Sequence, residues 1–214
     1  MSEAPLIIAI DGPAASGKST VARLVARALK IVFVSTGGMY RAFTWRVLEE
    51  GINPEEVSEV LGLLGETRFE CGEAEGLGTF AVNGRFLSRE ELSSDEVNRS
   101  VSLIAAIPEV RARLVDEQRA YGEANGVVME GRDIGSVVFP GTPFKFYIDA
   151  SPEVREQRRR AEGIHDSIAE RDKLDSSRAA SPLVIPDDAI VVDSSELSID
   201  EVVDRVVREI ETRP

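Results

Sequence analysis

The chain has 214 residues, of which 43% are hydrophobic and 29% are charged, a composition typical of globular proteins rather than of disordered chains. This length permits a full hydrophobic core in one domain or in one domain that carries an insertion, and we favour the second arrangement. The formal net charge of −13 argues against a general nucleic-acid-binding protein, because such proteins usually present a basic surface to the phosphate backbone.

Cysteine content and hydropathy indicate a cytoplasmic protein. Cys71 is the only cysteine and cannot form an internal disulfide, and the residues that begin the sequence lack the pattern of a signal peptide. No apolar run approaches the length that spans a membrane, so no membrane partner is expected. No apolar surface stripe stands out beyond the core pattern, which favours a monomer.

The most informative stretch is GPAASGKS at 12–19, which follows the apolar run 6–10 and precedes a helical pattern at 20–26. This is the phosphate-binding P-loop in its required context of strand, glycine-rich loop and helix. Its glycines allow backbone N–H groups to wrap a polyphosphate, Lys18 is suited to reach the β- and γ-phosphates, and Ser19 offers a hydroxyl to Mg²⁺. The predicted ATP site consists of Gly12, Pro13, Ala14, Ala15, Ser16, Gly17, Lys18, Ser19 and Thr20.

Downstream of this loop the predicted elements alternate between strands and helices. Residues 31–34 are predicted as a short buried strand, 35–38 as a turn, and 39–50 and 54–64 as two helices. A β-α-β-α order predicts a parallel sheet.

The hydrophobic period changes in the next segment, where 67–71 and 79–82 have the pattern of strands. The pair Asn83-Gly84 is a strong hairpin signal, because a type I′ turn needs two residues with positive φ. A small antiparallel insertion is the simplest interpretation.

The alternation of strands and helices then resumes. The remaining predicted elements are helices at 95–106 and 109–123, strands at 126–129 and 144–148, a helix that opens at Ser151, a strand at 189–192 and a helix at 199–210. The loop 130–135, with the sequence EGRDIG, follows a strand, where ligands bind in open α/β sheets. A second phosphate-facing loop is therefore predicted there.

Arginines are concentrated in the helix that opens at Ser151, where spacings of three and four place Arg155, Arg158 and Arg159 on one face. Such a charged face is often only solvated. We favour a phosphate-binding role, because arginine contacts phosphate bidentately and phosphoryl transfer is catalysed mainly by positioning and charge neutralisation. Further arginines that could converge on the same phosphates are Arg41, Arg132, Arg171 and Arg178.

The nature of the acceptor decides which other groups are needed. A phosphate monoester has a second pKa of about 6 and is largely ionised at neutral pH, so it needs no general base. An alcohol acceptor would normally need a carboxylate base, and Asp133 is available for that part. Two alternatives stay open: a P-loop kinase with a different acceptor, and a nucleotide-binding regulatory module without turnover.

Four segments together resemble the bacterial cytidylate kinases, in order and near the spacing of that family. They are DGPAASGKS at 11–19, STGGMYR at 35–41, EGRDIGSVVFP at 130–140 and RDKLDSSRAASPL at 171–183. The resemblance implies a P-loop NTPase fold of the α/β class, with three α/β/α layers, a five-stranded parallel core sheet, a small antiparallel NMP-binding insertion and a short lid. The implied core comprises 1–64 and 107–214, with the insertion at 65–106 and the lid at about 155–178.

The resemblance also implies the reaction, namely transfer of the γ-phosphoryl group of ATP to CMP or dCMP, with Mg²⁺ as the metal and UMP as a poorer acceptor. The implied catalytic residues are Lys18, Arg132, Arg155, Arg158, Arg159 and Arg178, with Arg171 as a further lid arginine. The implied acceptor-site residues are Arg41 and Arg132 at the phosphate, Ser102, Arg111 and Asp133 at the cytosine, Asp175 and Arg178 at the sugar or the adjacent phosphate, and Thr36 within the acceptor site.

Three features depart from the family pattern. Ser35 stands where the family usually has Asp, Leu174 stands where an Arg or another polar residue is common, and the stretch between Arg160 and Arg171 is about ten residues shorter than in many members. The third departure bears on the shape of the lid and on the arginine that reaches the γ-phosphate.

Overall fold

The computed structural model describes residues 5–161, 168–176 and 182–213. Its strands are β1 (Ile7–Asp11), β2 (Val32–Ser35), β3 (Phe69–Ala74), β4 (Leu77–Val82), β5 (Arg85–Phe86), β6 (Val127–Gly131), β7 (Phe144–Asp149) and β8 (Ile190–Asp193). Its α-helices are α1 (Lys18–Leu29), α2 (Thr36–Glu49), α3 (Val57–Glu66), α4 (Arg89–Leu92), α5 (Asp95–Ile104), α6 (Pro108–Ala124), α7 (Pro152–Ala161), α8 (Ile168–Ser176) and α9 (Ile199–Thr212). A π-helix covers Ile134–Val138.

One sheet runs through the molecule in the order β3-β4-β2-β6-β1-β7-β8. The strands β2, β6, β1, β7 and β8 are parallel to one another, which confirms the predicted five-stranded parallel core. β1 lies in the middle of these five strands. Its continuous apolar sequence follows from burial on both faces of the sheet, as is usual for parallel strands.

Helices cover both faces of this sheet. Ile8 and Ile10 of β1 belong to a core cluster with residues of α1 and α9, whereas Ala9 belongs to a cluster on the other face with Val115 of α6 and with the π-helix. A third cluster joins α2, α3, α5 and α6. The result is the predicted three-layer α/β/α architecture, with the carboxyl ends of the parallel strands at one edge.

Three further strands extend the same sheet. β4 pairs parallel with β2 through Phe33 and Leu77, and β3 and β5 pair antiparallel with β4. Val82 pairs with Arg85 across Asn83 and Gly84, whose φ angles of 52° and 79° form the predicted hairpin turn. The division of the chain into a core and an insertion stays a prediction.

Two local predictions are wrong. The turn predicted at 35–38 belongs mainly to α2, which begins at Thr36 and includes both glycines in its first turn. The loop predicted at 130–135 is shorter, since pairing with β1 continues as far as Asp11 opposite Gly131, and the π-helix begins at Ile134. Within the described residues, no helix combines the length and apolarity needed to cross a bilayer.

Candidate active site

The P-loop connects β1 to α1 at the carboxyl edge of the parallel strands. Gly12 has a φ of +154°, and a Cβ at this position would come within 2.1 Å of the backbone oxygen of Ile148. Gly17, immediately before α1, has a φ of +87°. Because only glycine accepts both conditions easily, the loop can pass against β7 and bring the N-terminal N–H groups of α1 to the site.

Lys18 is the first residue of α1 and is buried, with 5% of its surface exposed. Its Nζ donates a hydrogen bond to the backbone oxygen of Pro13 at 2.9 Å, which holds the ammonium group inside the curve of the loop. Burial, followed by the positive charge of Arg132, lowers the pKa of Lys18 to about 7. An anion bound beside this group would stabilise its charged form.

A second wall of the site is built where β2 and β6 end. Ser35 lies opposite Glu130 in the β2–β6 register, and its Oγ donates to Glu130 Oε1 at 2.6 Å. Thr36 Oγ1 donates to the backbone oxygen of Glu130 at 2.9 Å. The carboxylate of Glu130 is thereby fixed in a buried position.

Arg132 follows β6 and is held by a residue of α8. Its Nε donates to Asp175 Oδ2 of α8 at 2.8 Å, and Asp175 is buried. Arg41 of α2 also lines the cavity, with Nη1 donating to the backbone oxygen of Gly37 at 3.3 Å. Two guanidinium groups therefore line the same cavity as the P-loop, and such groups can bind phosphate.

Arg111 and Asp133 form a buried ion pair at the far end of the cavity. Arg111 Nη2 donates to Asp133 Oδ2 at 2.5 Å and Nη1 donates to the backbone oxygen of Ala105 at 3.1 Å. The guanidinium carbon lies 5.3 Å from the centre of the Tyr40 ring. The two side chains expose only 3% and 6% of their surface. A polar pair fixed in this way can present hydrogen-bonding groups of defined direction to a ligand.

One cavity of about 270 Å³ joins the P-loop to these groups. Most of the predicted site residues line it. These are Ala14, Ala15, Gly17, Lys18, Ser19, Thr20, Thr36, Arg41, Ser102, Arg111, Arg132, Asp133, Arg159 and Asp175. Gly12, Pro13 and Ser16 belong to the same loop but do not line the cavity.

Seven lining residues were not predicted from the sequence. They are Ser35, Gly37, Tyr40, Val101, Ala105, Glu130 and Gly131. Each lies within a few residues of a predicted site residue. Ser35 and Glu130 carried a usable signal, because both lie at the carboxyl ends of predicted parallel strands.

Arg155 and Arg158 do not line this cavity. Arg155 is buried behind the P-loop, where Nη1 donates to the backbone oxygen of Ala14 at 3.3 Å and lies 2.7 Å from Asp172 Oδ2 of α8. Arg158 Nη1 donates to the backbone oxygen of Ser16 at 3.1 Å. Their predicted contact with the transferred group stays a prediction. Arg178 and the side chain of Arg171 lie outside the described part of the chain.

A P-loop at the edge of a parallel sheet, facing arginines and buried carboxylates across one cavity, defines a P-loop kinase. The fold is similar to a gluconokinase from Sinorhizobium meliloti 1021, with a TM-score of 0.50 and 13% identity over 98% of this chain and 94% of that chain. It is also similar to a sugar kinase from Janibacter sp. HTCC2649, with a TM-score of 0.50 and 15% identity over 98% and 96% of the two chains.

Sequence comparison defines the family within this class. The model of the family described as cytidylate kinase matches residues 8–212. A cytidylate kinase from Oceanobacillus iheyensis is 41% identical over 97% of this chain and 95% of its own length. A cytidylate kinase from Geobacillus thermodenitrificans is 39% identical over 99% of both chains. The chain therefore belongs to the cytidylate kinase family.

Proposed function

We propose that this enzyme transfers the γ-phosphoryl group of ATP to CMP or dCMP, which gives ADP and CDP or dCDP. The observation that carries the proposal is the shared cavity of about 270 Å³, which joins Lys18 of the P-loop to the buried pair of Arg111 and Asp133. A donor site and an acceptor site on one cavity are what direct transfer between two bound nucleotides requires.

On the donor side, the P-loop amides and the N-terminus of α1 would bind the polyphosphate of ATP. Lys18 would place its ammonium between the β- and γ-phosphates, where it neutralises charge in the ground state and in the transition state. Thr20, the third residue of this helix, lines the same cavity. These groups stay fixed during transfer, so little reorganisation is needed when charge moves.

The residues present fit a magnesium ion. The hydroxyl of Ser19 lines the cavity together with the buried carboxylate of Glu130, and hard cations prefer such oxygen ligands. The described residues contain no cluster of three or more candidate metal-ligating side chains, but Mg²⁺ at phosphates is commonly held by one or two protein oxygens. Held by Ser19 and Glu130, Mg²⁺ would supply positive charge that neutralises the phosphates of ATP.

On the acceptor side, we assign Arg41, Arg132 and Thr36 to the phosphate of the monophosphate. Its oxygen is the nucleophile and is largely ionised, because its second pKa is about 6. No side chain then has to remove a proton. The role of the arginines is to hold the attacking oxygen in line and to reduce its repulsion from the γ-phosphate.

The base of the acceptor is assigned to Ser102, Arg111 and Asp133. The exocyclic amine of cytosine donates hydrogen bonds, whereas uracil presents an acceptor at the same edge. A site that offers a carboxylate to this edge binds cytosine and leaves its own acceptor unpaired with uracil. Asp175 and Arg178 are assigned to the sugar or the adjacent phosphate, and Arg159 to closure of the lid over the transferred group.

We expect ATP binding to take up a proton at Lys18. The pKa of Lys18 is about 7 in the free protein, and the phosphates of a bound nucleotide raise it. At pH 8 the free lysine is mostly neutral and the bound lysine is charged, so the affinity for ATP falls as the pH rises above 7. Titration calorimetry at pH 8 in two buffers of different ionisation enthalpy measures this uptake. The same uptake in Lys18→Met would contradict the assignment.

The direct test of the reaction is ADP formation from Mg·ATP with CMP, compared with a blank without acceptor. Phosphorus NMR of the product distinguishes a nucleoside diphosphate, which has a phosphoanhydride bond, from the phosphate ester that an alcohol acceptor would give. Tight ATP binding without acceptor-dependent ADP formation would instead support a regulatory module.

We further propose a cytoplasmic monomer without nucleic-acid partners. The net charge of −13 argues against binding to nucleic acid, and the single cysteine fits the cytoplasm.

A further inference from the structure

Asp11 ends β1 directly before the P-loop, and its carboxylate binds the segment that follows β6. Oδ1 accepts a hydrogen bond from the backbone N–H of Ile134 at 2.8 Å, and Oδ2 accepts one from Gly135 at 2.7 Å. The side chain is 2% exposed and does not line the active-site cavity. Each oxygen of this carboxylate therefore accepts a hydrogen bond from one backbone amide, which fixes its orientation.

The two amides are the first N–H groups of the π-helix, which have no partner within the helix itself. The residue before this helix, Asp133, ordinarily supplies such a cap from its own side chain. Here Asp133 makes no cap hydrogen bond, and its carboxylate pairs with Arg111 instead. Asp11 caps the helix from the neighbouring strand and so leaves Asp133 available to the cavity.

We propose that Asp11 is a positioning residue that fixes Arg132 and Asp133 for the acceptor nucleotide. Arg132 and Asp133 lie between the two points at which β1 holds this segment. On one side Asp11 pairs with Gly131 in the strand register, and on the other its side chain binds Ile134 and Gly135. The inference rests on the proposed assignment of Arg132 and Asp133 to the acceptor.

The packing around Gly135 leaves little room for the carboxylate to move. A Cβ on Gly135 would lie 3.3 Å from Asp11 Oδ2 and 3.2 Å from Cγ of Lys145, both tighter than ordinary contacts. Burial raises the pKa of Asp11 to about 7, and the two amides oppose this rise because they stabilise the charged form. The capping contact is therefore strongest when the carboxylate is ionised.

The test is Asp11→Asn, which keeps the size of the side chain but replaces one acceptor oxygen with an amide that cannot accept. We expect KM for CMP to rise about tenfold or more, as for loss of a hydrogen bond to a charged group. KM for ATP is expected to stay within about twofold, because this contact holds the acceptor segment and not the P-loop. Gly135→Ala places a methyl group against Asp11 Oδ2 and so disturbs the same hydrogen bond. We expect it to raise KM for CMP in the same way. The double variant is expected to add little to either single one.

Asp188→Asn is the matched control. Asp188 Oδ2 accepts a hydrogen bond from Lys145 at 2.6 Å, and Lys145 also donates to the backbone oxygen of Pro140. Asp188 is therefore connected to the segment after β6 at Pro140, away from Arg132 and Asp133. Both KM values are expected to stay unchanged. An equal rise of both KM values in Asp11→Asn, or no rise for CMP in either Asp11→Asn or Gly135→Ala, would overturn the proposal. A wild-type protein without CMP-dependent ADP formation would refute the proposed function instead, and CMP binding measured by calorimetry would then still test Asp11.

Discussion

Lys18→Met is expected to lower kcat by about 10²–10³-fold or more, the effect of removing one fixed charge from a transferring group. The substitution keeps the length of the side chain and removes the ammonium that Pro13 holds at 2.9 Å inside the P-loop. In the transition state the charge is spread over the oxygens of the transferred group, and the ammonium stabilises this state more than it stabilises bound ATP. We therefore expect kcat to fall more than the affinity for ATP. Steady-state kinetics with ATP and CMP measures both.

Lys145→Met is the control for burial. Lys145 is also a buried lysine that donates to a proline oxygen, that of Pro140 at 2.6 Å, but it does not line the cavity. Its loss is expected to lower stability and to leave kcat of the folded enzyme within a few-fold of wild type, because it touches no reacting group. Similar losses of kcat in the two variants would show that Lys18 acts through packing alone.

Asp133→Asn is expected to lower kcat/KM for CMP by about 10²-fold, within the range for a lost hydrogen bond to a buried charged group. The amide of asparagine can turn its NH₂ towards an acceptor, so the preference for CMP over UMP is expected to shrink. The change also leaves Arg111 buried without its counter-charge, which costs about 3–5 kcal/mol of stability. Kinetics with CMP, UMP and ATP, together with thermal unfolding, separate these effects.

Asp172→Asn provides the comparison for the loss of stability. Asp172 pairs with Arg155, another buried arginine, at 2.7 Å, and does not line the cavity. It is expected to destabilise the protein without changing the ratio of kcat/KM values for CMP and UMP. If Asp133→Asn left that ratio unchanged as well, Asp133 would not read the base.

The P-loop and the parallel core could be predicted from the sequence because their signals are local. The glycines of the loop are needed for backbone reasons, as the close approach of Gly12 to Ile148 shows, and the apolar runs of β1 and β6 follow from burial on both faces. Asn83 and Gly84 marked their turn for the same local reason. Boundaries at Thr36 and Ile134 depended on tertiary pairing, which a local pattern does not contain.

The contacts that complete the site join residues far apart in the chain. Ser35 binds Glu130 across two strands that become neighbours only in the sheet, and Asp11 at the end of β1 binds Gly135 of the π-helix. The spacing of the arginines in α7 predicts one shared face, and in the structure Arg155 contacts Ala14 and Asp172, behind the loop. Charge spacing alone does not distinguish an arginine that supports a phosphate-binding loop from one that faces the phosphate.

The central claim is that the acceptor is a cytidine monophosphate, and the most direct measurement is kcat/KM for CMP, dCMP, UMP, AMP and GMP, each as the sole acceptor with Mg·ATP. The assignment of Asp133 and Arg111 to the base predicts high values for CMP and dCMP, a lower value for UMP and little activity with the purines. Values for AMP or GMP equal to that for CMP, or ADP formation no faster than in the blank with all five, would contradict it.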